Sequence, residues 1–279
     1  MVMKMEKKYI FLDVDGTLYS SQIAGVPASA RKAIDLARAN GSKVFLCTGR
    51  SLAECSKYLN DPLDGFVFGA GAMVYAEHKR IYDRPLDPED VLAIEHFLEE
   101  NGFGWSLEGQ AGAYVNEEAY EFLLPYFSAG KQPRSVMVQQ MMDNGMYPAG
   151  YMDPQEKIYK ICGFTTKIID DMEPIRAKVD PKYSLLVTLK SESGTGCELN
   201  YKEITKATGI RRVLDFYGAD WNDACAIGDS ENDIPMIEAC GTGIAMGNAF
   251  EHVKEKADFV TTDILDDGIW NAFRHIGVI

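Results

Sequence analysis

The 279-residue sequence has no long apolar run, a deficit of basic residues and no regular cysteine spacing. No stretch approaches the roughly 20 apolar residues that a membrane-spanning helix requires. Acidic side chains outnumber basic ones by 42 to 28, which gives a net charge of −14. Nucleic acids and acidic membranes are bound through basic patches, so this charge argues against both classes of partner. A small phosphorylated ligand can still be bound by a few amides and one or two cations.

The six cysteines are scattered, with no Cys-x-x-Cys pair and no histidine at zinc-ligand spacing. We therefore expect reduced thiols that pack as small hydrophobic side chains. The opening residues Met1 to Lys8 are charged and lead into a short strand, unlike the apolar region of a signal peptide. This pattern predicts a cytoplasmic protein. A content of 46% apolar and 25% charged residues is that of a globular protein with a sizeable core.

Two aspartates, Asp13 and Asp15, directly follow an apolar run at residues 9–12. The run is rich in β-forming residues and is followed by Gly16, which predicts a buried strand and a tight turn. Ligands of open α/β sheets bind at the carboxyl ends of strands, so both carboxylates would project into a crevice. Two carboxylates so close repel each other unless a cation lies between them. Mg²⁺, held by a few carboxylates and a substrate phosphate, meets that need.

Strands alternate with helices near both ends of the chain. Apolar runs at 43–47 and 66–68 predict further strands, and helical spacing predicts helices between them, one at about 51–59. The alternation resumes after residue 203. This order of elements is typical of a parallel sheet with right-handed crossovers.

The middle of the chain has a different pattern. Aromatic strands interrupted by glycine and several short helices predict an α+β insert at residues 85–190. We therefore predict an α/β fold whose doubly wound, Rossmann-like parallel-sheet core comprises residues 1–84 and 191–279, with the α+β domain inserted between them.

Two more polar segments follow predicted strands. Thr48-Gly49 offers a hydroxyl and backbone N–H groups at the start of a helix, where the helix dipole favours an anion. Asp229 follows a buried strand at 224–227. In a doubly wound sheet Asp229 and Asp13 lie at the same edge, so Asp229 can complete a metal site.

A cation for the same phosphate is also present. Lys206, near the start of its own predicted helix, is the first candidate, and Lys202, four residues earlier, is the alternative.

Four ordered motifs resemble those of the haloacid dehalogenase superfamily of phosphohydrolases. They are Asp13-Val14-Asp15-Gly16-Thr17, Thr48-Gly49-Arg50, Lys206, and Gly228-Asp229-Ser230-Glu231-Asn232-Asp233. Their spacing is similar to that of the Cof-type branch, in which a class IIB cap is inserted between the second and third motifs. The ordered set is specific, whereas a lone Asp-x-Asp-Gly-Thr would only be suggestive. The resemblance covers essentially the whole chain and implies that the 85–190 insert is a cap that determines substrate specificity.

The resemblance also implies a role for each matched residue. Asp13 would attack phosphorus, form an aspartyl phosphate and bind Mg²⁺, while Asp15 would bind the metal through its carbonyl and act as general acid and base. Asp229 would bind the metal, and Asp233 would orient its neighbours. The phosphoryl oxygens would be held by the Val14 amide, Thr48, Gly49, Lys206 and Asn232. One departure concerns Ala207, because the family commonly has Gly after this lysine.

The implied function is a Mg²⁺-dependent phosphatase for a small phosphorylated metabolite of the sugar-phosphate type, acting as a monomer or homodimer. Candidate cap contacts are Tyr114, Asn116 and Tyr151. A phosphomannomutase-like phosphomutase is an alternative, but it must grip a second phosphate, normally with several cap arginines. Only Arg134 and Arg176 lie deep in the insert. A metabolite-binding protein without turnover is a further alternative, which the complete acid–base pair disfavours.

Overall fold

A computed structural model of the chain describes residues 7–55, 63–127 and 132–279. These residues divide into two compact units. The first unit comprises residues 7–49, 63–83 and 204–279, and the second comprises residues 50–55, 84–127 and 132–203. Each unit is built around its own sheet.

Fourteen strands and nine α-helices occur in the described part of the chain. The strands are β1 (Tyr9–Leu12), β2 (Lys43–Cys47), β3 (Gly65–Phe68), β4 (Met73–Ala76), β5 (Lys79–Asp83), β6 (Gly104–Gly109), β7 (Ala113–Val115), β8 (Met146–Pro148), β9 (Ile158–Thr165), β10 (Tyr183–Ser191), β11 (Gly194–Tyr201), β12 (Ala224–Gly228), β13 (Thr242–Ala245) and β14 (Phe259–Val260). The helices are α1 (Ala28–Ala39), α2 (Pro88–Glu100), α3 (Glu117–Leu123), α4 (Arg134–Asp143), α5 (Glu173–Arg176), α6 (Lys206–Tyr217), α7 (Ile234–Ala239), α8 (Glu251–Lys254) and α9 (Gly268–His275).

The first unit contains an eight-stranded sheet in the order β14-β13-β12-β1-β2-β3-β4-β5. Strands β14 to β3 are parallel, and β4 and β5 extend one edge in antiparallel fashion. β1 lies between β12 and β2, with Leu12 in register with Ile227 and Leu46. The residues after these three strands therefore emerge at one edge of the sheet, where ligands bind in open α/β folds.

A buried core holds these central strands in place. Ile210, Val213 and Leu214 of α6 pack in one cluster with Phe11 and Phe45, whose stacked rings have centroids 5.0 Å apart. Full burial of an aliphatic or aromatic side chain of this size contributes roughly 1.5–3 kcal/mol. The cluster thereby fixes the ends of β1 and β2, from which the candidate site residues emerge.

The second unit contains a six-stranded sheet in the order β10-β11-β9-β6-β7-β8. All of its pairs are antiparallel except β7 with β8. Helix α3 supplies Ala119 and Phe122 to a cluster that also contains Val115 and Met141. Helices packed on an antiparallel sheet make an α+β unit. The predicted fold class, a doubly wound α/β core with an inserted α+β domain, is confirmed.

Some local features differ from the sequence expectations. The β4–β5 hairpin was not predicted. β11 pairs with both β9 and β10, so the second unit extends to residue 203, whereas the sequence pattern places the boundary at residue 190. Residues 52–55 form turns rather than a helix, and the rest of the helix predicted at 51–59 lies outside the described residues. None of the helices within residues 7–55, 63–127 and 132–279 has the length and hydropathy of a membrane span.

Candidate active site

Asp13 lies at the end of β1, and the chain turns sharply after it. The Asp13 N–H donates to the carbonyl of Ile227 in β12 over 3.0 Å, which continues the parallel ladder by one residue. The carbonyl of Val14 then accepts from the N–H groups of Leu18 (2.9 Å) and Tyr19 (2.7 Å). This turn leaves the Asp13 side chain only 5% exposed, while Asp15 is exposed to solvent. The two aspartates therefore occupy different environments.

Gly16 and Thr17 connect this turn to Asp229. Gly16 has a φ of +80°, and a Cβ atom at this position would lie 2.4 Å from Oδ2 of Asp229. The Thr17 hydroxyl donates to Oδ1 of Asp229 over 2.8 Å. Only glycine allows both the backbone conformation and the close approach. Gly16 and Thr17 of the Asp-x-Asp-Gly-Thr motif therefore fix the position of the Asp229 side chain, which is distant in the sequence.

Lys206 is the cation of the site. It is 1% exposed, and its ammonium donates to Oδ1 of Asp13 over 2.6 Å and to Oδ1 of Asp233 over 2.5 Å. Burial lowers the pKa of Lys206, but the charges of Asp13 and Asp233 outweigh it and raise that pKa above its ordinary value. Lys206 therefore stays protonated. The alternative, Lys202, is exposed to solvent.

The start of α6 fixes the backbone of this lysine. Thr205 is the N-cap, and its hydroxyl oxygen accepts from the Thr208 N–H. The hydroxyl oxygen of Thr208 in turn accepts from the Thr205 N–H. Such a reciprocal box stabilises a helix start. Gly209 brings the helix close to the sheet, because a Cβ there would lie 2.5 Å from the side chain of Val67.

Asp233 is fully buried and organises the loop after β12. Its Oδ2 accepts from the N–H groups of Asp229 and Ser230, each over 2.9 Å, and from the Ser230 hydroxyl over 3.1 Å. Its Oδ1 accepts from Lys206. With both oxygens already engaged by donors, Asp233 is suited to hold Asp229 and Lys206 in position.

The carboxylates of Asp13, Asp229 and Asp233 form a compact acidic group. One oxygen of each lies within 4.8 Å of the others. Burial and the charges of neighbouring aspartates raise the pKa of Asp13 well above its ordinary value despite Lys206. Burial, followed by the charge of Asp233, raises the pKa of Asp229 to about 7. Concentrated negative charge of this kind, presented by hard oxygen donors, fits a divalent cation such as Mg²⁺.

The remaining predicted residues lie at the same edge of the first unit. Thr48 follows β2; it donates its N–H to Val67 O (2.8 Å) and accepts from the Ala70 N–H (2.9 Å) through its carbonyl, so its backbone is fixed. Gly49 follows it. Asn232 is half-buried, and its Oδ1 accepts from the Ser230 hydroxyl over 2.9 Å. Hydrogen bonds and carboxylate proximity thus join Asp13, Lys206, Asp229 and Asp233, while the sheet order brings Thr48 to the strand end beside Asp13.

Two further residues at this site had no role in the sequence expectations. Asn248 donates from Nδ2 to the carbonyl of Gly16 over 2.8 Å and accepts the Ile264 N–H at Oδ1 over 3.0 Å. It therefore supports the turn after Asp13; the string Met246-Gly247-Asn248-Ala249 was its only signal. Cys47 is fully buried, with Sγ 3.9 Å from the carbonyl of Lys206. Burial raises the pKa of this thiol, so it stays protonated.

Comparisons with known proteins agree with this geometry. A family model described as haloacid dehalogenase-like hydrolase matches residues 10–273. The chain is 28% identical to the putative phosphatase YkrA of Bacillus subtilis over 99% of this chain and 100% of that protein. It is 27% identical to the 5-amino-6-(5-phospho-D-ribitylamino)uracil phosphatase YwtE of the same organism over 94% of this chain and 95% of that protein.

Solved structures show the same likeness over the full length. BT1666 from Bacteroides thetaiotaomicron, described among phosphatases of this superfamily, has a TM-score of 0.78 and 26% identity, covering 100% of this chain and 97% of that one. The subclass IIB sugar phosphatase BT4131 has a TM-score of 0.76 and 25% identity, covering 98% of this chain and 100% of that one. The chain belongs to the haloacid dehalogenase-like hydrolase family, as a phosphatase of its Cof-type branch.

Proposed function

We propose that this phosphatase is Mg²⁺-dependent and hydrolyses a small phosphorylated metabolite of the sugar-phosphate type through an aspartyl-phosphate intermediate. The observation that carries the proposal is the buried contact between Asp13 and Lys206 at a strand end that Asp229 shares. A carboxylate held beside a fixed ammonium can attack an electrophilic phosphorus while the positive charge stabilises the phosphoryl oxygens.

The two aspartates of the motif take different roles. Asp13 is buried and held by Lys206, so it is the nucleophile. Asp15 is exposed two residues later, where its side chain can protonate the leaving oxygen and then deprotonate the attacking water. Proton transfer of this kind typically contributes 10²–10⁴-fold to the rate.

The phosphoryl group is held by backbone and side-chain donors of the first unit. We assign this role to the Val14 and Gly49 N–H groups, the Thr48 hydroxyl, Lys206 and the Asn232 amide. Phosphoryl transfer depends mainly on in-line positioning and on neutralising the equatorial oxygens. The order of the strands supports this assignment, because Val14, Thr48 and Asn232 follow the adjacent strands β1, β2 and β12, and Lys206 begins α6.

The donor set defines where the metal would be held. Asp13, Asp229 and the carbonyl of Asp15 are the ligands we assign, while Asp233 positions Asp229 through its backbone N–H. Mg²⁺, when bound, would neutralise negative charge on the phosphoryl oxygens. Asp233 itself remains a positioning residue because donors already engage both of its oxygens.

The substrate class is supported by the relatives. YwtE is named for a compound that carries phosphate on a ribityl chain, and BT4131 is named a sugar phosphatase. Both names denote phosphate esters of polyhydroxylated carbon chains. We assign the choice of leaving group to the second unit, and we infer a cytoplasmic enzyme.

The contacts of two arginines in the second unit argue against the phosphomutase alternative. Arg134 forms ion pairs with Glu117 and Glu121. Arg176 pairs with Glu173 and donates to the carbonyl of Leu185 over 3.2 Å. Arginines already engaged in this way are poorly placed to grip a second phosphate, so hydrolysis is favoured.

The decisive experiment replaces the nucleophile. Asp13→Asn should abolish phosphate release from p-nitrophenyl phosphate in the presence of Mg²⁺, because the amide cannot form the phosphoenzyme. Asp35→Asn, an exposed aspartate on α1, is the matched control and should retain activity. Retained activity in Asp13→Asn, or in wild type treated with a chelator, would contradict the proposal.

Two other outcomes would favour the alternatives. Isomerisation of a hexose 1-phosphate without free phosphate would indicate a mutase. Thermal stabilisation by one phosphate ester without any turnover would indicate a binding protein.

A further inference from the structure

Three consecutive residues of the first unit, directly after β3, have a backbone with positive φ. They are Gly69, Ala70 and Gly71, with φ values of +54°, +55° and +114°. The turn that they form leads into β4, and the Ala72 N–H closes it by donating to the carbonyl of Gly69 over 3.2 Å. Glycine adopts positive φ readily, whereas the Cβ of an alanine there comes too close to the following carbonyl oxygen. Ala70 is therefore the strained residue of this turn.

The burial of Ala70 distinguishes it from comparable residues. Ala70 is 8% exposed. Within the described ranges, the other non-glycine residues with positive φ are all exposed, namely Ala24, Glu77, His78 and Asp267. A strained backbone conformation persists only where the surrounding structure enforces it. The contacts on the two sides of this turn therefore hold Ala70 in its conformation.

On one side the turn packs against the start of α6. A Cβ atom at Gly71 would lie 2.2 Å from the carbonyl oxygen of Thr205, and a Cβ atom at Gly209 would lie 2.9 Å from the Cα of Gly71. The two backbones are thus in direct contact. Thr205 is the N-cap of the helix whose first residue is Lys206, so this contact fixes the position of Gly71.

On the other side the turn contacts Thr48. The Ala70 N–H donates to the carbonyl of Thr48 over 2.9 Å, and the Thr48 N–H donates to the carbonyl of Val67 over 2.8 Å. Because Gly71 is held against Thr205, a change of φ at Ala70 would have to move the Ala70 N–H instead. The left-handed conformation of Ala70 and its bond to Thr48 therefore depend on each other.

The bond to Thr48 also determines the direction of the Gly49 N–H. The Thr48 carbonyl and the Gly49 N–H belong to one planar trans peptide, in which the two groups point in opposite directions. β2 lies between β1 and β3 in the sheet. Since the carbonyl faces Ala70, which follows β3, the N–H faces the side of β1, which Asp13 follows.

We propose that Ala70 is a positioning residue of the phosphate site, whose N–H fixes the Thr48–Gly49 peptide and thereby directs the Gly49 N–H toward the phosphoryl oxygens. The inference rests on the proposed function, because the Gly49 N–H is a phosphate-binding group assigned there. A peptide that is fixed before phosphate arrives avoids the cost of ordering it on binding. Without the bond from Ala70 the peptide can rotate, and the affinity for phosphate falls while Asp13 keeps its contact with Lys206.

Ala70→Thr and Ala70→Asn test the conformation rather than the size of the side chain. Both new side chains are polar and similar in size, but asparagine tolerates the left-handed region and β-branched threonine does not. In Ala70→Thr the inhibition constant of inorganic phosphate and the KM for p-nitrophenyl phosphate should rise about ten-fold, the ratio for one lost hydrogen bond to a charged group. kcat should change less, because the interaction is made in the ground state as well.

The comparison between the two variants decides the outcome. Ala70→Asn should recover most of the affinity for inorganic phosphate that Ala70→Thr loses. A loss of equal size in both variants would show that side-chain bulk is responsible, and it would overturn the proposal.

His78→Thr is the matched control. His78 also has positive φ, +62°, but it is exposed in the turn between β4 and β5. The same threonine should strain the backbone there, which thermal unfolding measures, and leave the inhibition constant of phosphate unchanged. An equal rise of this constant in His78→Thr would overturn the proposal, because general destabilisation would then explain the effect.

Gly69→Ala keeps the test open if Ala70→Thr does not fold. The Gly69 carbonyl and the Ala70 N–H share one peptide, so a single methyl group at the positive φ of Gly69 strains the same bond. The inhibition constant of inorganic phosphate should rise in the same direction as in Ala70→Thr. An unchanged constant in folded Gly69→Ala whose amide at residue 70 exchanges faster than in wild type would overturn the proposal.

Hydrogen exchange separates this inference from the proposed function. Without any ligand, the amide of residue 70 should exchange about ten-fold faster in Ala70→Thr than in Ala70→Asn, because only threonine opposes the left-handed conformation. Equal exchange in the two variants would overturn the positioning role even if the enzyme is an active phosphatase. Absence of turnover in wild type would instead count against the proposed function, while exchange at residue 70 and direct binding of inorganic phosphate would still test the role of Ala70.

Discussion

The ammonium nitrogen of Lys206 lies 2.6 Å from Oδ1 of Asp13, although 193 positions separate the two residues in the sequence. The same nitrogen lies 2.5 Å from Oδ1 of Asp233. All three residues are at most 5% exposed. A buried ion pair requires good geometry and satisfied neighbours, because desolvation of the charges is costly. Here Ser230 and the Asp229 N–H satisfy the remaining oxygen of Asp233, so the lysine is fixed beside the proposed nucleophile.

Lys206→Met should reduce both activity and stability. The loss of a charge aimed at the phosphoryl oxygens should lower kcat about 10²-fold or more. The loss of the partner of two buried carboxylates should lower the free energy of unfolding by about 3 kcal/mol or more. Phosphate release and urea unfolding measure the two effects.

The double variant Lys206→Met/Asp233→Asn separates charge from packing. It removes one of the two carboxylates that the lysine neutralised, so it should recover part of the lost stability without recovering activity. A double variant less stable than Lys206→Met alone would show that packing, and not uncompensated charge, dominates at this position.

Gly16→Ala should weaken metal binding through Asp229. Gly16 and Gly218 both have positive φ, +80° and +63°, but an added Cβ collides with Asp229 only at Gly16 and meets nothing within 4 Å at Gly218. Each alanine should cost roughly 1–2 kcal/mol for the left-handed backbone. Only Gly16→Ala should also raise the Mg²⁺ concentration for half-maximal activity, by about tenfold. Equal Mg²⁺ requirements in the two variants would argue against this role of Gly16.

The strand-end residues were predictable, because an apolar run ending in Asp13 and another ending at Asp229 place both carboxylates at one edge of a parallel sheet. What the sequence could not provide was the contact between Gly16 and Asp229 or the four bonds of Asp233, since these depend on loops brought together from distant segments. The aspartates themselves were visible in the motif. Which of them can bind a metal, and which hold neighbouring residues in position, depends on these contacts.

The missed strands have local causes. The turn of the β4–β5 hairpin uses Glu77 and His78 with φ of 48° and 62°, positions where Asn-Gly or Gly would have given a recognisable signal. Every residue of β11 is buried, yet its sequence GTGCELNY contains two glycines and several polar residues, so neither alternation nor an apolar run marks it.

Tyr201→Phe should destabilise the second unit, in which Tyr201 of β11 contacts the start of α2. The Tyr201 hydroxyl donates to Oδ2 of Asp90 over 2.5 Å and accepts from the Asp87 N–H over 3.1 Å. Its loss leaves a buried carboxylate and an amide with fewer partners, which should cost about 1–3 kcal/mol. Tyr120→Phe is the control, because the buried Tyr120 hydroxyl has no partner within the described residues. Thermal unfolding of the two variants should therefore differ, and equal losses would contradict the assignment.

Glu108, a buried residue of β6, predicts a pH dependence of stability that requires no substrate. Burial and the charge of Glu54 raise its pKa from 4.5 to about 8 in the folded protein, so the folded chain retains a proton that the unfolded chain releases above pH 4.5. Its contribution to stability is therefore fully present below pH 4.5 and is lost as the pH rises through about 8. Because glutamine does not titrate, the unfolding free energy of wild type relative to Glu108→Gln should fall by about 2–5 kcal/mol across this window. Urea unfolding of both proteins on either side of the window measures the difference, and a constant difference would show that Glu108 is already ionised in the folded state.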